Sequence, residues 1–525
     1  MLPFNTGVTE QNMALMKSSL DQRFNVSGRE LTNWNLQKGA VSTAANIVGY
    51  DLQAPARLLL PVITPIRNKL PRRSRASNPG TQSNWKVINL VNGFTDAGYN
   101  SMGWVNEGAR APQITYSASN ASAAYQTIGV EDALTFEAES AAQGFEDANS
   151  LATFNLLQSM MIKEEFALLA GNKSVTLGTP TTPTLTASGS GTSLTNTAYY
   201  VKVVGLTVEG YANSSVAGGV ATYKQVTSPD GTVSTINGGS SNISAGANIT
   251  PSAGQQINAS TPVINGAVAY AWFWGTTSGS EVLGAITTIN SYVITAAATG
   301  TQVASAITGD RSANNGSLGS GTNQVTAFDG LMSTTYSNGA SSNSYVKALA
   351  TGTPGTGTKL TSTTKGTVTE IDALLFYLWN TWRISPTAMW VNAQQQQDLT
   401  TLCLNTSSAP LLRINSDGSG IASLTAGSQL RYYTNFFTMG GEVQIPVLLH
   451  PNVPPGTIFF QCETLPAYYV NNETPQVAEV LTRRDYYRID WPLTTRQRQY
   501  GVYSEEVLAV YAPFGFAILT NIAPL

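Results

Sequence analysis

The sequence has few of the residues that catalytic and metal sites use most. Its 525 residues include one histidine, His450, and two cysteines, Cys403 and Cys462. A Ser-His-Asp triad, a Cys-His pair or a multi-histidine metal site would have to use His450, which precedes Pro451 in a predicted turn. Two cysteines are too few for a disulfide framework or a cysteine-rich zinc site, and they are typical of a protein assembled in a reducing cytoplasm.

The sequence also lacks the motifs of nucleotide, dinucleotide and zinc-protease sites, which are GxxxxGK[ST], GxGxxG between a strand and a helix, CxxC and HExxH. Its carboxylate pairs, Glu131 with Asp132 and Glu505 with Glu506, are neighbours in the chain. In a strand such neighbours point to opposite faces, whereas a glycosidase pair must converge across a cleft. We predict a protein that is not an enzyme, with no catalytic residue, no metal ion and no cofactor.

Charge is sparse as well. Charged residues make up 11% of the chain, against roughly a quarter in ordinary soluble proteins. So little charge is typical of a surface that neighbouring molecules cover. The net charge of −3 gives no broad positive field, so any contact with double-stranded DNA is expected to be weak and non-specific. The sequence has no long uninterrupted apolar run and no basic, apolar secretion signal, and we predict no association with a membrane.

The first part of the chain is irregular. Apolar residues at helical spacing, Met13, Met16, Leu20 and Phe24, predict a short amphipathic helix. The stretch from Leu52 to Thr95 has no acidic residue, and its prolines keep much of it extended. It carries the cations Arg57, Arg67, Lys69, Arg72, Arg73, Arg75 and Lys86. Such an arm gains order mainly by lying on another surface.

Two strands and a long helix follow. Trp85–Val91 and Tyr125–Phe136 are β-prone and flank a stretch rich in Gly, Ser, Asn and Tyr, which predicts a long two-stranded loop. Phe145–Ala170 is predicted to be a helix that ends at Gly171, and at 1.5 Å per residue it would be about 37 Å long. Its predicted apolar side carries Leu151, Phe154, Leu157, Met161 and Leu168.

The middle of the chain, from 174 to 325, shifts to short β-prone runs separated by Pro, Thr, Ser and Gly, which predicts a separate β domain. Tyr199–Val204 and Val268–Trp274 are its clearest strands. In the second strand, Trp272 and Trp274 share one face at a period of two, which favours a core position over an exposed glycan-binding one.

The last part returns to mixed helix and strand. Val368–Trp382 predicts an amphipathic helix, and strands are predicted at Ala388–Asn392, Gln444–Leu449, Thr457–Gln461 and Glu506–Tyr511. No sequence period repeats along the chain, which argues against a solenoid or a propeller.

This order of elements resembles the major capsid proteins of tailed bacteriophages that have the HK97 fold. The segments "EEFALLAGNKS" (Glu164–Ser174), "AMWVNAQQQQDLTTL" (Ala388–Leu402) and "EEVLAVYAPFGFAILTNI" (Glu505–Ile522) look like the end of the family's spine helix, a strand and helix of its axial domain, and its closing strand. Within the middle region, "AYYVKVVGLTVEGYANSS" and "YAWFWGTTSGSEVLGAITTINSYVIT" resemble core strands of an immunoglobulin-like or fibronectin-type module.

The resemblance implies an α+β fold, an HK97-like capsid fold into which an all-β immunoglobulin-like sandwich is inserted. The implied parts are an N-terminal arm (1–75), an E-loop (76–130), a peripheral domain with the spine helix (131–173), the inserted domain (174–325), an axial domain (326–480) and return strands of the peripheral domain (481–525).

The resemblance also implies a function. Copies of the chain would assemble into the pentamers and hexamers of an icosahedral phage head that encloses double-stranded DNA, formed in the cytoplasm of the host bacterium and retained in the virion. Portal, scaffolding and cement proteins are implied partners, and because the chain starts at Met1 a separate scaffolding protein is expected. The alternatives are an encapsulin-like compartment shell, a phage tail-fibre or adhesion protein, and a hydrolase with unrecognised catalytic groups.

An extended arm and a long hairpin bury little of their own surface, so we expect them to become ordered across neighbouring copies. The predicted intersubunit residues are Arg57, Arg67, Lys69, Arg72, Arg73, Arg75, Trp104, Glu107, Arg110, Glu131 and Glu137. The cations would pair with acids of an adjacent copy, such as Glu131, Asp132, Glu137 and Glu139. Contact with DNA or with solvent is the alternative for the cations, and a lid over the chain's own core is the alternative for the loop.

Some members of the family link their subunits through an isopeptide bond that begins with an E-loop lysine. This sequence has no lysine between Val87 and Ile162. We therefore predict a shell without covalent links between its subunits.

Overall fold

The chain contains both helices and strands, largely in separate runs, and the predicted α+β class is confirmed. The computed structural model describes residues 61–75, 80–91, 104–110, 116–142, 147–231, 233–315, 327–339, 343–362, 366–405, 412–416, 422–426, 429–439, 441–466 and 476–525. The helix predicted from Met13 to Phe24, and the cation Arg57, lie outside these residues.

The elements are numbered in chain order. The helices are α1 (Pro65–Lys69), α2 (Phe136–Ala142), α3 (Ala148–Ala170), α4 (Val208–Asn213), α5 (Leu331–Gly339), α6 (Thr369–Trp382) and α7 (Ala393–Asn405), with 3-10 turns at Ala304–Ala306 and Pro513–Gly515. The strands are β1 (Arg72–Ser74), β2 (Gln82–Val91), β3 (Tyr116–Ala124), β4 (Gln126–Thr135), β5 (Thr184–Ser188), β6 (Tyr199–Leu206), β7 (Tyr223–Thr227), β8 (Val233–Asn237), β9 (Ala247–Ile249), β10 (Gln256–Ser260), β11 (Ala269–Gly275), β12 (Val282–Thr287), β13 (Ser291–Ile294), β14 (Tyr345–Ala348), β15 (Ala388–Val391), β16 (Leu412–Ser416), β17 (Ala422–Ala426), β18 (Tyr432–Asn435), β19 (Val443–Leu449), β20 (Ile458–Gln461), β21 (Ala478–Asp490), β22 (Gln497–Val510) and β23 (Phe516–Thr520).

The long helix α3 packs on a four-stranded sheet with the order β1-β21-β22-β4. Strand β1 is parallel to β21, and the other neighbours are antiparallel. Leu156 and Met160 of α3 pack with Tyr500 and Val502 of β22. This contact fixes the helix against the sheet and gives the region its own small core.

Helix α3 begins later than predicted, at Ala148 rather than at Phe145. Asp147 is the N-cap, and its side chain accepts hydrogen bonds from the backbone N–H groups of Asn149 at 3.1 Å and Ser150 at 3.3 Å. Because the first N–H groups of a helix have no partner within the helix, this carboxylate fixes the start.

The buried side of α3 also differs from the prediction. Leu168 is buried as expected, but Phe154 is 52% exposed. The residues that are buried are Leu156, Met160, Glu164, Glu165, Leu168, Leu169 and Ala170. Two glutamates belong to this set, so an apolar stripe read from the sequence could not locate the buried side.

Strands β2 and β3 form the predicted long hairpin, but its return strand is earlier in the chain than predicted. The two strands are antiparallel from Gln82, opposite Ala124, to Val91, opposite Tyr116. At the base, the N–H of Tyr125 donates to the carbonyl of Thr81 at 3.1 Å. Beyond that point the chain leaves the hairpin, and β4 pairs with β22 instead.

The middle region contains two antiparallel sheets that face each other. Their strand orders are β13-β10-β5 and β12-β11-β6-β9. The core between them includes Trp272 and Trp274 from one sheet and Ile257 and Ile294 from the other. Trp272 and Trp274 are buried, so the predicted core position of the two tryptophans is confirmed. The immunoglobulin-like character of this β sandwich stays a prediction.

The chain enters and leaves the β sandwich at the end of α3. The N–H of Asn314 donates to the carbonyl of Asn172 at 2.9 Å, and the N–H of Gly330 donates to the carbonyl of Gly171 at 2.8 Å. Asp329 accepts from the backbone of residues 173 and 174. Adjacent entry and exit segments are what an inserted domain requires.

A six-stranded sheet with the order β14-β23-β20-β15-β19-β18 forms the other main layer. Its central strands are buried on both faces: Phe459 and Ile518 pack toward the core that contains the end of α3, and Phe460 and Leu519 pack toward α6. Strand β23 lies in this sheet and not in the sheet that packs on α3, and the predicted grouping of 481–525 as return strands of the peripheral domain stays a prediction. Burial on both faces makes β23 a continuous apolar run, and such a run does not reveal which sheet it joins.

Candidate functional site: the strap and its carboxylates

The basic segment predicted to contact a neighbouring copy lies against carboxylates of its own chain. We call residues 61–75 the strap; it contains α1 and β1. Arg67 Nε is 2.8 Å from Glu164 Oε2, and Lys69 Nζ is 2.6 Å from Glu463 Oε1. The acids that the sequence proposed as partners, Glu131, Asp132, Glu137 and Glu139, are not the ones that pair with the described strap cations.

Glu165 holds the backbone at the start of α1. Its two oxygens accept from the N–H of Ile66 at 2.9 Å and from the N–H of Arg67 at 2.7 Å. The same carboxylate lies 2.7 Å from Nε2 of His450, and the N–H of Asn452 donates to His450 Nδ1 at 3.1 Å. Because Nδ1 accepts a hydrogen bond, the N–H group of the neutral imidazole is at Nε2. This N–H donates a hydrogen bond to Glu165.

This arrangement gives the lone histidine a structural role. His450 and Glu165 are buried, with side-chain exposures of 0% and 1%, and no nucleophilic side chain is among their hydrogen-bond partners described above. The pair orients a carboxylate that anchors the strap, which is a structural task.

A second cluster holds the other end of the strap. Arg72 bonds to Glu164 and lies 3.1 Å from Glu506 and 2.7 Å from Asp485. The phenol of Tyr486 donates to Glu164 as well. Glu164 and Glu506 are both fully buried, whereas the Asp485 side chain is 53% exposed. One partly buried guanidinium therefore bridges three carboxylates contributed by α3, β21 and β22.

Burial and charge shift the protonation of this cluster. Burial, and then the negative charge of Glu164, raise the pKa of Glu506 to about 7. Burial alone would lower the pKa of Arg72, but Glu164 and Glu506 raise it overall, so the guanidinium stays charged. Burial and the bond to Glu164 also raise the pKa of Tyr486, which stays a neutral phenol.

The remaining strap cations are less enclosed. Arg73 lies 3.5 Å from Glu479 and its side chain is 54% exposed. The N–H of Arg75 donates to the carbonyl of Thr482 at 2.7 Å, which extends the pairing of β1 with β21. An intersubunit role for these residues stays a prediction.

The predicted acidic residues of β4 and α2 also have partners within the chain. Glu131 accepts from the Tyr503 hydroxyl, and Glu137 pairs with Arg496. The carboxylates of Glu505 and Glu506 serve different partners, because Glu505 pairs with Arg483 at 2.6 Å. The last finding agrees with the expectation that neighbouring acids in a strand do not converge.

Residues 104–110, between β2 and β3, are called the loop tip, and its predicted contact residues are exposed to solvent. Trp104 is 78% exposed and Val105 is 43% exposed, and Glu107 and Arg110 are exposed beside them. This short segment, 104–110, therefore presents an apolar side chain flanked by both signs of charge.

Sequence reasoning missed Glu164, Glu165, Glu506 and His450 as a connected site. The one available signal was a pair of adjacent glutamates in the largely apolar second half of a predicted helix. Among the residues that the structure describes, no group of His, Cys, Asp and Glu side chains has the arrangement of a metal site. None of the described helices is long and apolar enough to span a bilayer.

The chain is similar in structure to capsids and phage particles. The capsid of a native GTA particle matches over 93% of this chain and 100% of that chain, with 10% identity and a TM-score of 0.40. A structure from Microbacterium phage Oxtober96 matches over 92% of this chain and 98% of that chain, with 8% identity and a TM-score of 0.40. An encapsulin complex from Synechococcus elongatus PCC 7942 matches over only 29% of this chain and 49% of that chain, with 15% identity and a TM-score of 0.19.

No family model matches the chain, and no curated protein matches it. Because the TM-scores of the three structures are 0.40 or lower and their identities are 15% or lower, these likenesses do not by themselves assign a function.

Proposed function

We propose that the chain is a major capsid protein of the tailed-phage kind. Copies would assemble into the pentamers and hexamers of an icosahedral head that encloses double-stranded DNA. The role is structural, and the strap, the hairpin and the sheets supply contact surfaces. Portal, scaffolding and cement proteins would be its partners in the virion, and assembly would take place in the cytoplasm of the host.

The observation that carries this proposal is a long hairpin with little support from its own chain. Strands β2 and β3 pair with each other as a separate two-stranded sheet. The base of the hairpin is anchored, since Trp85 contacts Tyr511 with ring centroids 5.4 Å apart. Farther along β3, Ala118 and Asn120 are exposed. A two-stranded hairpin is marginally stable alone in water, so a surface on another molecule is expected to support it.

The loop tip fits the same role. A large aromatic side chain surrounded by polar groups is the usual composition of an interface anchor and its rim. Trp104, with Glu107 and Arg110 beside it, has this composition. The sparse charge of the chain, 11%, agrees with surfaces that other copies cover.

Electron microscopy of the purified full-length protein tests the proposal. We expect closed icosahedral shells, and genome-filled, tailed heads when particles are taken from a phage lysate. Small shells that hold a protein cargo would favour the encapsulin-like alternative. A compact monomer that never assembles, with its first hundred or so residues resistant to protease, would contradict the shell proposal.

A pair of substitutions makes the test specific to the loop tip. Trp104→Ser is expected to lower the yield of shells at least about tenfold, because an interface anchor contributes about 2 kcal/mol or more. Val226→Ser is the control, since Val226 is 53% exposed but lies on β7, which pairs with β8 in a separate two-stranded sheet. Equal yields from the two variants would contradict the role proposed for the tip.

A further inference from the structure

The β sandwich shares part of an apolar core with the rest of the chain. Val175, Val208 and Val268 adjoin its strands and are buried. They pack in the same cluster as Leu331 and Met332 of α5. This cluster includes the end of α3, where the chain also enters and leaves the sandwich. Two domains joined only by a flexible linker would keep separate cores, so this region is a firm attachment.

A second attachment lies in the segment that follows β14. We call residues 349–358 the clasp. At its start the clasp continues the pairing of β14 with β23, because the N–H of Leu349 donates to the carbonyl of Thr520 at 2.9 Å. Farther along, the N–H of Gly355 donates to Ser291 Oγ at 2.9 Å. The clasp therefore connects β23 of the six-stranded sheet with β13 of the β sandwich.

The clasp packs so closely on the β sandwich that no side chain fits between them. Gly355 has a φ of 79°, and a Cβ atom at this position would lie 2.2 Å from Cγ2 and 3.2 Å from the backbone nitrogen of Val293. A Cβ atom at Gly357 would lie 2.8 Å from Ala523 Cβ and 3.2 Å from Ile289 Cδ1. Contacts at this distance leave no space through which the clasp could shift on β13.

A buried asparagine joins the β sandwich to the clasp and to the end of β23. Asn290 Nδ2 donates to Thr351 Oγ1 at 2.8 Å. The backbone N–H and Oδ1 of Asn290 bond to the side chain of Asn521 at 2.9 Å and 3.1 Å, and Asn521 Nδ2 also donates to the carbonyl of Leu349 at 2.8 Å. Asn290 and Asn521 are both buried, so moving the sandwich away would leave these groups without their partners.

We propose that the β sandwich is a fixed brace for the six-stranded sheet. It is attached at the end of α3 and again, through the clasp and Asn290, at the end of β23. A domain attached at one site can rotate about that site, and a second attachment on another element prevents this rotation. A mobile recognition module would lack the second attachment. The brace stands whether or not copies of the chain form shells.

Distances between two spin labels measure whether the β sandwich is fixed. Ser278→Cys places one label on the turn between β11 and β12, and Gln397→Cys places the other on α7, which follows β15; both positions are exposed. Cys403→Ser removes the partly exposed native thiol, whereas Cys462 is buried. The full-length labelled chain is diluted with unlabelled chain, so that each distance comes from one copy, in shells or in solution.

A second pair of labels within the β sandwich gives the reference for a rigid body. Ser252→Cys replaces the label on α7, and Ser252 is exposed. Because the label at Ser278 belongs to both pairs, its own mobility affects both distance distributions alike. We expect the pair that spans the sandwich and α7 to give one distribution as narrow as the reference. A clearly broader or divided distribution would overturn the brace.

A double substitution tests whether the clasp supplies the second attachment. Asn290→Ala removes the buried amide, and Gly355→Ala places a Cβ atom against Val293. The β sandwich then stays attached only at the end of α3, so the distribution between the sandwich and α7 should lose its narrow form. The reference distribution should stay narrow, because the strands of the sandwich are unchanged. An unaltered distribution between the sandwich and α7 would overturn the role of the clasp.

Asn248→Ala with Gly279→Ala is the matched control. It changes the same two residue types within the β sandwich, but Asn248 is exposed. Gly279 has a φ of 85°, and a Cβ atom there would meet nothing within 4 Å. The control therefore strains a glycine backbone without touching the clasp, and its distances should match the wild type. Equal broadening in the control would overturn the assignment to the clasp. Should the clasp variant fail to fold, the wild-type comparison still decides whether the sandwich is fixed.

Discussion

At the scale of single residues, burial changes the role of a glutamate in a helix. Adjacent glutamates in a helix usually mark a solvated side, but Glu164 and Glu165 are both fully buried. Each is compensated by donors that come from the strap, nearly a hundred residues earlier in the chain. A buried acceptor whose donors are all present stabilises the fold, whereas removing it leaves those donors without a partner.

Substitution of Glu165 by alanine is expected to lower the free energy of unfolding by about 3 kcal/mol. The change leaves the N–H groups of Ile66 and Arg67 and the Nε2 proton of His450 without their acceptor, and each unsatisfied buried donor costs about 1 to 3 kcal/mol. Urea unfolding measures the effect. Lys163→Ala, at an exposed position of the same helix, should change stability by less than about 0.5 kcal/mol, and an equally small loss in Glu165→Ala would refute the anchoring role.

Asn521 connects the β sandwich to the six-stranded sheet and has an unusual backbone. Its φ is 59°, its Oδ1 accepts from the N–H of Asn290 at 2.9 Å, and its Nδ2 donates to Asn290 Oδ1 at 3.1 Å. Asn521→Gly loses the hydrogen bonds only, while Asn521→Ala also strains the left-handed backbone. We expect thermal unfolding to show the alanine variant less stable than the glycine variant by about 1 kcal/mol. The opposite order would show that the backbone conformation does not matter there.

At the scale of elements, the hairpin and the four-stranded sheet have different roles. The sheet has a helix packed on one face and a core of its own. The hairpin has a firm base and, beyond it, exposed strand residues. The part of the hairpin beyond its base contributes little to the core of the subunit, so we expect its role to be contact with other copies. Assembly should therefore depend on the hairpin much more than folding does.

Shortening the hairpin separates these two effects. Val87 and Ser119 are opposite each other, so residues 88–118 can be replaced by Asn-Gly, which favours a two-residue hairpin turn. We expect the free energy of unfolding to change by less than about 1 kcal/mol, because the side chains described in the removed part, those of 104–110 and Ala118, are exposed. Shell formation, followed by sedimentation and electron microscopy, should be lost. Wild-type yields of shells from the shortened chain would contradict the proposed function.

At the scale of the whole molecule, the assembled shell should depend on non-covalent contacts. Four cations of the strap, Arg67, Lys69, Arg72 and Arg73, pair within the chain. The stretch between Val87 and Ile162 contains no lysine for an isopeptide bond. The stability of particles would then come from the apolar and polar contacts that arms and hairpins make with neighbouring copies.

Purified particles boiled in denaturing buffer should therefore run as a single band of 55.6 kDa on a gel. A ladder of heat-stable multimers would contradict this prediction. Lys86 lies in β2 at the border of the lysine-free stretch, so Lys86→Arg is the informative variant in that case. Disappearance of the ladder in this variant would identify Lys86 as the linking residue.

The sequence by itself determined the local helices and strands. It also determined which functional classes the chain has no motif for. Helical spacing and turn residues located α3 and α6, and the period of two in β11 placed Trp272 and Trp274 in a core. The single histidine and the missing motifs argued against catalysis. These features are local, since caps, periodicity and turn chemistry act within a few residues of the chain.

Only the tertiary structure decided which distant residues meet. The pairing of β1 with β21 brings Arg72 opposite Val480. The sequence of neither segment indicates that the other is its partner. The same holds for β23, which is apolar on both faces and fits either sheet by pattern alone. Because an ion pair or a strand register depends on the relative positions of elements hundreds of residues apart, the sequence supplied the charges of the strap but not their partners.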